Sequence, residues 1–440
     1  MRVHLMGVCG SGMSGLAAWY RALGHDVTGC DGSPSEDKVL SLSRKGIAVL
    51  SGHSPEHLKN VDRLVFSAAI PVDNPELSAA RASGIPVLRR SEALAELTDS
   101  HTLVAVAGAH GKTTTTSMTG WIMQECGFDP TVFVGGNMKC WGGNFRSGGE
   151  LAVVESDEFD RTFLRLTPDH AAVTSYALEH LECYGSPEAL EWAFQAFLES
   201  VLPGGTVIVP MEKPGLGYWA ARIGRNVLRS GPGGEIDAKP SEYDGWGEKY
   251  TLYGQRGFLP CPGIHNIRNA QVAVALSVAC GVKPAEAIAA LGSWPGVSRR
   301  LERIGECNGT VYVSDYAHHP DEMAAALGSL SNSVEGSLNV VFQPHLFSRT
   351  SLLHREMGIA LRIADRSFVL PIYPAREDPL PGVDEKLVVS AARRAGADCI
   401  AVTPDQLEEA VLGLDRGVTV FMGAGSIDVI ARKIVGEICT

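Results

Sequence analysis

The stretch "VAVAGAHGKTTTT", residues 104–116, decides how this chain is read. An apolar run ends in the turn Gly108-Ala109-His110-Gly111, which opens onto Lys112 and four threonines. A strand, a tight turn and a helix start in that order turn backbone N–H groups and the positive end of a helix dipole toward one point, where an anion is stabilised. A lysine there reaches the β and γ phosphates of a nucleotide, and the hydroxyl that follows ligates Mg²⁺. ATP and Mg²⁺ are therefore the expected ligands, held by Gly108, Ala109, His110, Gly111, Lys112, Thr113 and Thr114. The loop is a shortened GxxGKT form, because the longer phosphate-loop pattern needs glycine at 106, where this chain has Val106.

Strand-like runs alternate with helical patterns on both sides of this loop, which predicts an α/β protein with parallel, doubly wound sheets. Composition turns near residues 98 and 295. The expected domains are thus 1–98, 99–294 and 295–440: Rossmann-like, a central ATPase-type parallel or mixed sheet, and Rossmann-like again. The segment 211–262 is rich in Gly and Pro and weakly patterned. At 440 residues and 45% hydrophobic content, each domain has enough apolar residues for a core. A net charge of −12 argues against nucleic acid as a partner. Ten cysteines without a CxxC pair predict reduced thiols, with neither a zinc ribbon nor a disulfide framework. No apolar run reaches the roughly 18 residues of a membrane span, so a cytoplasmic location is expected. A homodimer is one assembly the sequence permits.

Ligands of open parallel sheets bind at the C-terminal ends of the strands. Glu155 closes the apolar run "LAVVE" at such an end, and His180 follows the next strand, so both join Thr113 as candidate metal ligands. Asp157, Glu158 and Asp160 behind Glu155 read equally as a solvated loop. A second nucleotide signal is "GVCGSGMSG" near the N-terminus, where Gly10, Gly12 and Gly15 form GxGxxG and Asp31 ends the following strand. A turn of this kind accepts any pyrophosphate, whether of NAD, FAD or a UDP-sugar.

The ordered set "GVCGSGMSG", "GAHGKTTTT", "ESDEFD", "EHLECYG", "GIHNIRNA", "GVSRRLE", "SDYAHHP", "FQPHLFSRT" and "YPARE" resembles the Mur ligase family from residue 3 to about 430. The resemblance implies an ATP-dependent amide-forming ligase of peptidoglycan precursor synthesis, of the type that adds L-alanine to UDP-N-acetylmuramate through an acyl phosphate. It implies that the first domain holds the UDP part of the substrate with Gly10, Ser11, Gly12, Met13, Asp31 and Ser67. Lys112, Glu155, His180, Arg300 and Asp315 would be catalytic. Asn266 and Asn269, in the same motif as His265, would face adenine, Arg300 and Asp315 would reach ATP, and the third domain would close over the central one. His318, His319, His345 and Arg349 would meet the amino acid, the guanidinium matching its carboxylate.

Departures from the family pattern are Ala109, Ala177, Glu179, Leu346, in place of a frequent second arginine, and Ser426. The alternatives are a sister ligase that recycles murein tripeptide onto the same nucleotide sugar, a non-catalytic nucleotide-sensing relative and, from a different class, an NAD-dependent oxidoreductase.

Overall fold

The computed structural model describes residues 1–177, 181–333, 336–375 and 377–439. The first sheet contains β1 (Arg2–Met6), β2 (Asp26–Asp31), β3 (Ala48–Ser51), β4 (Arg63–Phe66) and β5 (Val87–Arg89). Its spatial order is β3-β2-β1-β4-β5 and every pairing is parallel. Strand order reverses beside β1, so the glycine turn after β1 lies at the crevice where doubly wound sheets bind ligands. Helices α1 (Ser11–Ala22), α2 (Glu36–Arg44), α3 (Pro75–Ala82) and α4 (Arg90–Thr98) complete this part.

The second sheet holds β6 (Thr102–Ala107), β7 (Thr131–Met138), β8 (Gly143–Arg146), β9 (Leu151–Glu155), β10 (His170–Val173), β11 (Thr206–Pro210) and β12 (Asn226–Ser230). The order is β12-β11-β10-β6-β9-β7-β8, parallel except for the β7–β8 hairpin. Central β6 reads as a continuous apolar run because both its faces are covered. It leads into α5 (Lys112–Glu125).

Segment 211–262 is more ordered than its composition predicts. It contains a helix, Pro214–Arg222, as well as β12, and then β13 (Lys239–Asp244), β14 (Gly247–Leu252) and β15 (Gln255–Leu259) in a small three-stranded sheet. All six residues of β13 are exposed, so no apolar alternation marks it. The last sheet is β16 (Glu302–Cys307), β17 (Thr310–Asp315), β18 (Ser337–Phe342), β19 (Arg366–Val369), β20 (Cys399–Ala401) and β21 (Gly417–Met422), in the order β16-β17-β21-β18-β19-β20. Only β16 runs antiparallel to its neighbour.

Tertiary contacts gather the chain into two compact units. One comprises residues 1–239, 252–257 and 268–295; the other comprises 240–251, 258–267 and 296–440. The first unit holds the first two sheets around a shared core, and α1 shows why. Its apolar face buries Met13, Leu16, Trp19 and Tyr20, and the Trp19 ring stacks on Phe145 of β8 at 5.4 Å. Removing a ring packed in this way costs about 3–5 kcal/mol. Gly15 permits the approach, since a Cβ there would lie 2.7 Å from Phe133.

In the second unit Cys307 and Cys439 form a disulfide between β16 and the end of the C-terminal helix Ile427–Ile438, which corrects the expectation of ten reduced thiols. The two lie 132 residues apart in sequence with Cα atoms at 5.6 Å, a proximity made by packing that spacing cannot show. Among the described residues no helix is long and apolar enough to cross a membrane.

Candidate active site

Gly111 begins α5 with φ +83° and no side chain caps the helix, so its first-turn N–H groups are left for a ligand. Not every amide of the turn is aimed at that ligand. Ala109 N–H donates to the Ser175 carbonyl at 3.1 Å and His110 N–H to Ser175 Oγ at 2.8 Å. The Thr174 and Ser175 hydroxyls donate in turn to the His110 carbonyl. The segment after β10 is therefore the clamp that shapes the loop. A Cβ on Gly111 would collide with Asn269 Oδ1, and the backbone there is left-handed. Gly111→Ala is expected to destabilise the chain by about 1–3 kcal/mol. The denaturant midpoint of the variant checks this.

Lys112 Nζ bends back onto its own loop, donating to the carbonyls of Gly108 and, at 2.9 Å, Ala109. It also meets Glu158 at 2.9 Å. Thr113 Oγ1 donates to Glu155 Oε1 at 3.0 Å, and Gly135 N–H holds the other Glu155 oxygen at 2.6 Å. Lys112, Thr113 and Glu155 thus stand together at the C-terminal ends of β6 and β9. His180 and Glu179 lie outside the described residues, and Ala177 is partly buried. The acidic run behind Glu155 is not a solvated loop. Asp157, Asp160 and Thr162 converge on the Arg90 guanidinium at 2.6, 3.0 and 3.1 Å. Burial opposes the charges, but the Arg90 cation holds the Asp157 carboxyl below its usual range. Asp160 is raised by its burial against the pull of Arg90 and with the push of Asp157. One cation serves two anions here.

Around the N-terminal turn, Gly10, Ser11, Gly12 and Ser67 gather at the ends of β1 and β4. Gly10 N–H donates to Gly7 O, and a Cβ on Gly7 would be 3.1 Å from Ser67. Met13 is buried on the apolar face of α1. Asp31 accepts from the N–H groups of Cys9 and Ser33, both at 3.1 Å. One oxygen thus braces the glycine turn and the other the loop that follows β2. Ser11 Oγ donates to Gly135 O and its carbonyl accepts from Asn144, which links the glycine turn to the central sheet.

In the second unit both Asp315 oxygens accept backbone N–H groups, Leu301 at 2.7 Å and Ala317 at 2.8 Å. Burial pushes this carboxyl up. Arg300 lies over the Tyr316 ring at 5.2 Å, and Arg299, which sequence reading passed over, at 4.7 Å. Asn266 spends its amide on Cys261 Sγ and the Pro262 carbonyl, while His265 meets Ser329 at 3.2 Å. His318, His345 and Arg349 come together: the two imidazoles lie 6.0 Å apart, and Arg349 reaches His345 Nδ1 at 3.3 Å. Tyr373, also missed, stacks on His345 at 5.7 Å. His319 instead turns to Asp321. Leu346 has φ +70° at the start of helix Phe347–Leu361, so its backbone is strained. Ser426 does not cap the C-terminal helix; Gln343 accepts from Ile427 N–H at 3.0 Å in its place.

Burial pushes the pKa values of His318 and His345 down to about 4, with the Arg349 cation adding to it. Unfolded imidazoles titrate near 6.5. Between these values the unfolded chain binds protons that the folded unit refuses. Stability is therefore expected to fall as pH drops from about 6.5 toward 4. Denaturation of wild type and the His318→Asn/His345→Asn variant at fixed ionic strength checks this, because the variant should show the shallower slope.

Three family models match the chain in order: "Mur ligase family, catalytic domain" over residues 2–102, "Mur ligase middle domain" over 106–277 and "Mur ligase, glutamate ligase domain" over 299–425. The UDP-N-acetylmuramate--L-alanine ligase of Streptomyces avermitilis is 39% identical, covering 99% of this chain and 97% of that protein. The crystal structure of UDP-N-acetylmuramate-alanine ligase from Thermotoga maritima superposes with TM-score 0.85 at 25% identity, over 100% of this chain and 99% of that one. A murein peptide ligase from Psychrobacter arcticus shares the fold at TM-score 0.70 and 23% identity, over 99% and 98% of the two chains. With its sheets, its phosphate loop and its whole length accounted for in this way, the chain belongs to the Mur ligase family.

Proposed function

We infer that this chain is an ATP-dependent carboxylate–amine ligase that joins L-alanine to UDP-N-acetylmuramate in peptidoglycan precursor synthesis. The observation that carries the reading is Lys112, Thr113 and Glu155 assembled on a phosphate loop, in a chain 39% identical end to end to an enzyme of that name. Residues 1–98, 99–294 and 295–440 are assigned to the nucleotide sugar, to ATP and to the amino acid. Gly10, Ser11, Gly12 and Ser67 would hold the UDP pyrophosphate, and His318, His345 and Arg349 the alanine. Asn266, Asn269, Arg300 and Asp315 are assigned to the nucleotide by resemblance alone. Thr113 and Glu155 are adjacent hard oxygen donors, a set that fits Mg²⁺. The ion, when bound, supplies charge neutralisation to the triphosphate.

The muramyl carboxylate is a poor acceptor for an amine, because oxide would have to leave. A carboxylate oxygen attacks the γ phosphorus, ADP departs, and an acyl phosphate forms. Lys112 swings from its loop carbonyls to the phosphoryl oxygens, where the transferring charge is spread. The neutral amine of L-alanine then attacks the acyl carbon; phosphate leaves, the nitrogen loses a proton, and an amide remains. Arg349 fixes the alanine carboxylate and so aims the amine.

Phosphate release that requires UDP-N-acetylmuramate and L-alanine together tests the reading. Release that murein tripeptide supports and L-alanine does not would assign the chain to the recycling type. Tight NADH binding without ATP turnover would instead assign the chain to the oxidoreductase class.

A further inference from the structure

Behind the glycine turn of the first sheet lies a cluster that the ligase chemistry does not use. His4 on β1, Cys30 on β2, His57 in the turn Pro55–Leu58 and Glu76 in the first turn of α3 bring one imidazole, thiol or carboxylate atom each within 4.8 Å of all the others. His4, Cys30 and Glu76 have no solvent exposure at all. Met6, Leu58, Leu64, Phe66, Leu77 and Ala80 form the apolar shell around them.

A carboxylate buried so deeply needs compensating positive charge. Among the described residues, the groups at ion-pair distance from Glu76 are imidazoles: His4 at 2.9 Å, His57 at 3.4 Å and His53 at 3.6 Å. His4 Nε2, His57 Nδ1 and Glu76 Oε1 face one another at 2.9 and 3.4 Å, shut off from solvent and with no polar partner outside this ring of contacts. Buried polar atoms left in this state call for an explanation. The outer contacts, by contrast, are satisfied and aim the inner atoms. His4 Nδ1 meets Thr28 Oγ1 at 2.8 Å, leaving Nε2 directed inward. Ser54 N–H donates to Glu76 Oε2 at 3.0 Å, which leaves Oε1 facing the imidazoles.

We propose that His4, Cys30, His57 and Glu76 bind one zinc ion in a closed structural site beneath the glycine turn. Two imidazoles, a thiolate and a carboxylate are a donor set that suits zinc over Mg²⁺ or Ca²⁺. Tetrahedral zinc with bonds of about 2.0–2.3 Å sets its ligand atoms roughly 3.3–3.8 Å apart. The contacts to Glu76 lie near that range, 2.9 Å to His4 and 3.4 Å to His57 through Oε1 and 3.3 Å to Cys30 through Oε2, and the four donor atoms all lie within 4.8 Å of one another. The ion displaces the Cys30 thiol proton to solvent, and its charge offsets Glu76 and the thiolate. The consequence reaches the turn above. The Cys30 carbonyl accepts from Gly7 and Val8 N–H at 2.8 and 3.1 Å, and the adjacent Asp31 holds Cys9 N–H. Fixing Cys30 therefore positions the loop that faces the nucleotide sugar.

The competing arrangement is a metal-free cluster in which the Cys30 thiol donates to Glu76, and metal analysis separates the two. The full chain, without an affinity tag, incubated with zinc and freed of loose metal by dialysis, is expected to retain about one zinc per chain. Cys30→Ser and His57→Gln should each lower that occupancy at least about tenfold. Replacement by cobalt(II) should produce a thiolate-to-cobalt absorption band that Cys30→Ser abolishes; Thr113 and Glu155 bring no thiol, so cobalt near the phosphate loop does not imitate it. Should the variants fail to fold, the wild-type cobalt spectrum still decides. Wild-type protein that retains less than about a tenth of an equivalent of zinc and shows no thiolate band overturns the proposal, as does a band that survives in Cys30→Ser.

Discussion

Lys112→Ala is expected to lower L-alanine-dependent phosphate release by about 10³-fold or more. Phosphoryl transfer asks the protein for little covalent help and much stabilisation of spreading negative charge, so removal of the one loop cation acts on the transition state directly. In the loop this side chain is held by the Gly108 and Ala109 carbonyls and by Glu158. Each of these contacts is a charge-assisted hydrogen bond or ion pair to the ammonium, an interaction that a triphosphate oxygen offers equally well. Removing the ammonium also takes a partner from Glu158, whose side chain is only 4% exposed, so some stability is lost as well. The two effects are told apart by assaying at a temperature where the variant is shown to be folded. Turnover within a few-fold of wild type under that condition would remove Lys112 from the chemistry, and with it the meaning given to the phosphate loop.

The second large effect is on stability. Arg90→Met is expected to cost about 3–5 kcal/mol, the usual result of leaving buried charges without their counter-ion. Arg90 is the first residue of α4, and Asp157 and Asp160 follow β9, so one guanidinium spans the first two sheets. The Asp160 side chain is only 8% exposed and so has little water to replace the cation, while Asp157 keeps about a quarter of its surface in solvent. Removing the anions together with the cation, as in Arg90→Met/Asp157→Asn/Asp160→Asn, should recover most of the loss. Denaturant midpoints at constant slope measure both variants. Arg90 also packs on the glycine turn, 2.9 Å from where a Cβ on Gly12 would be, so the single variant should raise KM for the nucleotide sugar too. A loss below about 1 kcal/mol, the worth of an exposed pair, would show that solvent already screens this network.

The α/β class was legible from the quoted stretch and its neighbours, because a buried parallel strand must be apolar on both faces and a phosphate turn must be glycine-bounded. Residues whose placement depends on their own backbone were legible for the same reason: Gly111 with its left-handed φ, Lys112 at the first turn of α5 and Glu155 at the end of β9. Their chemistry is local, and local chemistry is written in consecutive residues. The order of the motifs was also enough to bring the family into view, which no single motif could do.

Contacts across the fold were not legible in this way. Ser175, Arg90, Tyr373 and the Cys307–Cys439 pair carry no distinctive spacing, since their partners are set by which strands lie side by side and which helix covers them. Asp31 read as a residue of the nucleotide-sugar site, and the fold shows it also bracing two backbone N–H groups; Asp157 and Asp160, which read equally as a solvated loop, are paired with Arg90. Charge alone does not reveal burial. His4, Cys30, His57 and Glu76 are scattered over 73 positions, from residue 4 to residue 76, and only the parallel register of β1 and β2 with the seating of α3 brings them together. Sequence by itself thus determined the layers and the loop, where each residue's neighbours in the chain dictate its conformation. The tertiary structure alone decided the pairings, because long-range contacts are made by packing geometry rather than by adjacency.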